Sequence, residues 1–161
     1  MSPSLVIDTA GLIALARLEL LVSVAERFGQ LLVPRAVFDE ATVGQLPGAD
    51  AIRLPAAQHA IQIVDPPTEQ GAQPSLALGA GELATIELAA SVGGVAVLDD
   101  RDARRVARQR GLPLTGTMAI LVRLRQVGAI GSLAETLAQL DAMGFRTTDE
   151  LRVWALETAG E

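Results

Sequence analysis

The chain has 161 residues, half of them hydrophobic, with a formal charge of −6 at pH 7 and no cysteine. This is enough apolar material for one compact domain over 1–161; the missing cysteines exclude a disulfide framework, a thiolate nucleophile and a cysteine-ligated metal, and fit a cytoplasmic protein. The acidic balance argues against a general nucleic-acid binder, although divalent cations in an acidic pocket would offset it.

Leu5 to Ile7 is a short apolar run ending at Asp8, after which Leu12, Ala16, Leu20 and Val24 follow helical spacing. Arg17 and Glu19 interrupt this leucine-rich segment, so it does not read as a signal peptide. No stretch approaches the roughly 20 apolar residues of a membrane span. Leu31 to Val33 is a second strand, and Pro34 marks the entry to a short helix that carries Asp39 and Glu40. A turn over 44–50, a helical piece to His59 and a possible strand over 61–64 come next.

The stretch from Asp65 to Gly81, rich in proline and glycine, is the longest irregular segment and is expected to be functional or mobile. Glu82 opens a helix to about Val92, which Gly93 and Gly94 end. Val95 to Leu98 then reads as a strand buried on both faces, as in a parallel sheet. It runs into Asp99 and Asp100 and an arginine-rich helix. Leu112 to Leu114 is an edge-like strand, and Thr115-Gly116-Thr117 starts an apolar helix to Val127. Ser132 with Glu135, and Thr147 with Glu150, have capping-box spacing and open C-terminal helices within 132–161. Short strands alternating with helices predict an α/β domain, with a central parallel sheet of four to five strands flanked by helices.

Strand-end acids are the feature with chemical content. Asp8 ends the first strand and Asp99 and Asp100 end the fourth, where open α/β sheets place their ligands. Glu40 and Glu82 lie on helices that could flank the same crevice. Carboxylates are hard ligands suited to Mg²⁺ or Mn²⁺, ions that activate water and orient phosphates in phosphodiester hydrolysis. Each acid also has a structural reading: Asp8, Asp99 and Asp100 suit helix N-caps, and Glu82 suits a helix dipole. Arg101, Arg104, Arg105 and Arg108 could hold phosphates or form a solvated helix face. Thr9, Thr115 and Thr117 could touch substrate or cap helices. Trp154 reads as packing of the last helix rather than a base-stacking platform.

Every one of the 13 basic residues is arginine. A Walker-type loop is therefore excluded for want of its lysine. Receiver domains and haloacid-dehalogenase-like phosphatases share a strand-end aspartate but also normally use a lysine. A metal-dependent phosphatase acting on small phosphates is the least favoured reading.

An N-terminal strand ending in Asp8-Thr9, Glu40, Gly-Glu-Leu-Ala-Thr-Ile-Glu-Leu-Ala at 81–89, Leu-Asp-Asp-Arg-Asp-Ala-Arg at 98–104, Thr-Gly-Thr at 115–117 and Gly-Phe-Arg at 144–146 together resemble the PIN-domain family. The similarity covers most of the chain and is nearest to a prokaryotic subfamily related to VapC-type toxins. It implies a Mg²⁺- or Mn²⁺-dependent endoribonuclease, usually dimeric and often neutralised by a small antitoxin protein. By position, Asp8, Glu40, Glu82 and Asp100 would be the acidic quartet, with Asp99 an equally placed rival for the last role. Metal would be held by Asp8, Glu82 and Asp99 or Asp100, while Thr9, Arg101, Arg104 and Thr117 would position RNA. Many relatives have a serine or asparagine where this chain has Ala10. The alternative class is a non-catalytic PIN-like module that binds nucleic acid or protein.

Overall fold

The computed structural model describes residues 2–43, 48–65 and 78–161. Five short strands, β1 (Leu5–Ile7), β2 (Leu31–Pro34), β3 (Ile61–Val64), β4 (Val95–Val97) and β5 (Leu114–Thr115), form one sheet in the order β3-β2-β1-β4-β5. Every pairing is parallel, with Leu5 opposite both Leu31 and Val95, and Ile7 opposite Val97. The apolar, β-branched runs of the sequence are what such a sheet requires, because both faces are covered.

Alternate side chains leave the sheet on opposite faces and build two cores. Ile7, Leu31, Val33 and Val97 face one core with α1 (Thr9–Arg17), α2 (Leu21–Phe28), α3 (Arg35–Thr42), α4 (Ala49–Arg53) and α5 (Pro55–Ala60). The C-terminal helices α8 (Thr117–Gln126), α9 (Leu133–Ala142) and α10 (Asp149–Ala159) complete that layer. Val6, Ala96 and Leu98 face the other core, against α6 (Ala80–Val92) and α7 (Arg101–Gln109). Ile7, Val97 and Leu98 are each fully buried, and burial of a side chain of this size stabilises the fold by roughly 1.5–3 kcal/mol.

The chain first winds from β1 to β3, then returns past β1 to build β4 and β5. The order therefore reverses between β1 and β4, and at such a switch point the connections leave on opposite faces and open a crevice at the strands' carboxyl ends. Asp8 follows β1 there, and Asp99 and Asp100 lie just beyond β4.

Several expected boundaries shift. The helix read as continuous from Thr9 through Val24 is two helices, because the chain turns at Glu19, which has φ of 58°. Leu20 N–H then bonds the Leu15 carbonyl at 2.8 Å, which tucks Leu20 into the core. The helical piece before His59 breaks at Leu54, whose extended backbone precedes Pro55, a conformation that proline imposes on the residue before it. The last strand lies at Leu114–Thr115 rather than 112–114, because Leu98 N–H and Ala96 N–H bond the carbonyls of Thr115 and Pro113. Thr148, not Thr147, caps α10 by accepting from Leu151 N–H at 3.2 Å. Among the described residues the hydroxyl of Thr147 is buried and has no hydrogen-bond partner. Ser132 caps α9 as expected. The expected turn over 44–50 and the irregular stretch from Asp65 to Gly81 fall largely outside the described residues.

Candidate active site

The change from strand to helix at Asp8 fixes its side chain. Asp8 is the N-cap of α1, its Oδ1 accepting from Gly11 N–H at 2.8 Å, and its residue is 3% exposed. Burial, and then the charge of Asp99, push its carboxyl up to about 7; Glu82 adds to the rise, while N–H donors of Gly11 and Asp99 oppose it. An aspartate that holds its proton near neutrality is a group in want of positive charge.

Asp99 faces the start of α8. Its Oδ1 accepts from Thr117 N–H at 2.8 Å and its Oδ2 from the Thr117 hydroxyl at 2.5 Å. Asp100 is the N-cap of α7, with Oδ2 accepting from Ala103 N–H at 2.9 Å. The neighbouring aspartates thus divide the work: Asp100 caps the arginine-rich helix and Asp99 repels Asp8. Both line a cavity of about 750 Å³ that Glu82 also lines.

Glu82 lies in the first turn of α6 and its Oε2 accepts from Gly79 N–H at 3.1 Å. Partial burial raises its pKa, and the charges of Asp100, Glu40 and Asp102 raise it further. Glu40, on α3, joins α1 to α6: its Oε2 accepts from the Thr9 hydroxyl at 2.6 Å and its Oε1 from Gly81 N–H at 3.0 Å. Asp8, Thr9, Glu40, Glu82 and Asp100 line a second, adjoining cavity of about 410 Å³.

Three glycines permit this crowding. A Cβ on Gly81 would stand 2.5 Å from Glu40 Oε2 and 2.7 Å from the Thr9 hydroxyl. On Gly11 it would lie 3.0 Å from both Asp8 Oδ1 and the Thr117 hydroxyl, and on Gly116 3.1 Å from Asp99 Oδ1. Gly81 and Gly116 lie in segments that the sequence reading quoted, but it assigned neither a role, and it did not single out Gly11.

All five predicted acids therefore gather at the carboxyl end of the sheet. Thr117 is buried and holds Asp99, while Thr9 holds Glu40, so both threonines orient acids through their hydroxyls. Arg104 lines the larger cavity and donates from Nη1 to the Leu98 carbonyl at 2.7 Å. Arg101 is exposed and lines neither cavity, and Arg105 pairs with Asp102 on its own helix. Trp154, expected to be packing, is 43% exposed and lines the larger cavity with Phe145 and Arg146. The signal for these residues was the Gly-Phe-Arg segment at 144–146, which has no strand-end acid to draw attention to it.

A hard divalent cation suits the chemistry of this donor set: only carboxylate and hydroxyl oxygens, with the carboxyls of Asp8 and Glu82 raised first by burial and then by neighbouring negative charge. Among the described residues, however, no three acidic groups stand arranged to hold an ion as they lie. Each carboxylate instead accepts from a backbone N–H, a hydroxyl or both.

The comparisons agree with the architecture. A family model described as DUF3368: PIN domain matches residues 4–161. The fold is similar to that of a PilT N-terminus domain protein from the archaeon Sulfolobus solfataricus P2, with a TM-score of 0.53 and 10% identity over 74% of this chain and 92% of that one. No curated protein matches the chain. With a family model spanning nearly all of its sequence and five parallel strands in the order described, the chain belongs to the PIN-domain family.

Proposed function

We propose that this chain is a Mg²⁺- or Mn²⁺-dependent endoribonuclease. PIN domains have a nuclease-type fold, are generally nucleases and typically use divalent metals. The observation that carries the reading is the convergence of Asp8, Glu40, Glu82, Asp99 and Asp100, from separate elements, on the sheet's switch point. Asp8, Glu82 and Asp99 or Asp100 would hold the metal, with Glu40 beside them. When bound, it would supply a lowered pKa for water and neutralisation of phosphate charge.

The residues of the chain do the rest. Thr117 fixes the direction of Asp99 and Gly81 fixes that of Glu40. Arg104, tied to the end of β4, presents guanidinium N–H groups suited to a phosphate oxygen. The test is cleavage of single-stranded RNA with Mn²⁺, which Asp8→Asn abolishes if the assignment is right and leaves intact if it is wrong.

A toxin role, neutralisation by a small antitoxin and assembly as a homodimer belong to the same proposal and rest on the family resemblance. Growth arrest on induced expression, relieved by Asp8→Asn, tests the toxin role. A non-catalytic binding module is favoured by one observation, that each acid makes a structural hydrogen bond within the fold. Tight RNA binding without cleavage by any divalent cation would establish that alternative.

A further inference from the structure

We propose that the 750 Å³ cavity is a nucleobase subsite, receiving one unpaired base of a single-stranded nucleic acid whose phosphate lies at the acids; the inference rests on the nuclease reading. The volume falls within the roughly 300–1,000 Å³ of pockets that enclose small organic groups. Met118, Leu121 and Leu140 give the cavity apolar surface, and Phe145, Leu151 and Trp154 add aromatic and aliphatic walls. Aromatic side chains of this kind take up the faces of unstacked bases.

The cavity is continuous with the acidic one. Ala10, Glu82, Asp100 and Phe145 line both, so a strand with its phosphate at the acids would carry an adjacent base into the larger space. Arg104 and Arg146 line it too, and among the described residues Arg146 has no ion-pair partner. A base is uncharged and tolerates Glu82, Asp99 and Asp100, while its flanking phosphates suit the arginines. A second copy of this chain, with its charge of −6, would bring further acid to an acidic site. Ala10, exposed at the junction of the cavities, keeps the passage open with a single methyl group.

The chain contains one tryptophan and no tyrosine, so Trp154 reports on the cavity directly. Adenosine, which carries no phosphate, is titrated against Trp154 emission in EDTA, with ribose 5-phosphate as the parallel probe. The proposal expects a saturable change with adenosine, none with ribose 5-phosphate, and affinity about tenfold weaker in Phe145→Ala. Because Phe145 also packs against the core, Ala10→Leu at an exposed position provides a second variant, expected to weaken the response likewise. No saturable response to adenosine, an equal response to ribose 5-phosphate, or undiminished affinity in both variants would overturn the subsite. Apparent affinity for adenosine that weakens as protein concentration rises would place a second copy in the cavity and also overturn it. RNA cleavage without an adenosine response removes the subsite and leaves the nuclease reading standing; an adenosine response without cleavage does the reverse.

Discussion

Asp99 accepts two hydrogen bonds from Thr117, at 2.8 Å from the backbone N–H and 2.5 Å from the hydroxyl, and so binds the end of β4 to the start of α8. Hydrogen bonds to a charged group contribute roughly 1.5–3 kcal/mol. Thr117→Val keeps the shape and the backbone bond but removes the hydroxyl. It is expected to lower stability by about that amount and RNA cleavage about tenfold, with Thr117→Ser restoring both. Thermal unfolding and initial cleavage rates check this; a valine variant equal to the parent in both would show that Asp99 needs no such support.

Asp8 makes the stability of the metal-free protein depend on pH. Its carboxyl rises from 3.8 to about 7 in the fold, so between these values the folded state retains a proton that the unfolded state has lost. Stability is greatest toward the low end of that window and falls as pH rises through it, levelling off above pH 7. The ceiling of the effect is about 4 kcal/mol, at 1.36 kcal/mol for each unit. Glu82, also raised, acts in the same direction. Asp8→Asn should flatten the decline and melt above the parent at pH 8 in EDTA. A parent whose melting temperature climbs between pH 5 and pH 7.5 while that of the variant does not would reverse the sign argued here.

Mn²⁺ should offset the same repulsion. At pH 8 it is expected to raise the melting temperature of the parent by several degrees, by mass action on the folded state. Asp8→Asn should gain little. An equal rise in both proteins would place the ion elsewhere.

Gly81 should not tolerate a side chain. A methyl group there would overlap Glu40 Oε2 and the Thr9 hydroxyl, and overpacking of a tight site costs roughly 1–3 kcal/mol. That outweighs the gain of about 1 kcal/mol expected for alanine over glycine within a helix. Gly81→Ala is therefore expected to melt earlier and to cleave more slowly, as Glu40 is driven from its place. Unchanged melting and cleavage would mean that Glu40 has room to yield.

The sheet was legible because its strands are short apolar runs that no amphipathic helix imitates, and because strand-end aspartates announce where β1 and β4 stop. What escaped notice depends on tertiary contact. The break at Glu19 has no glycine or proline to mark it, and α2 resumes the same apolar spacing beyond the turn. Thr147 and Thr148 are equivalent as cap candidates until packing draws one hydroxyl inside. The roles of Asp99 and Asp100 could not be divided in advance, since both are adjacent acids before a helix; the partner of Asp99 lies 18 residues away. Trp154 was read as packing of the last helix, whereas α10 leaves it 43% exposed on a cavity that α1, α6, α7, α8 and α9 also line.

We propose that the acids at the β1–β4 switch point make this PIN domain a metal-dependent ribonuclease. That role is tested most directly by following an end-labelled single-stranded RNA with Mn²⁺, with EDTA, and with Mn²⁺ and folded Asp8→Asn protein. Internal cuts with Mn²⁺ alone are the predicted result. Cleavage that persists in EDTA, or at the parent rate in Asp8→Asn, would contradict the account.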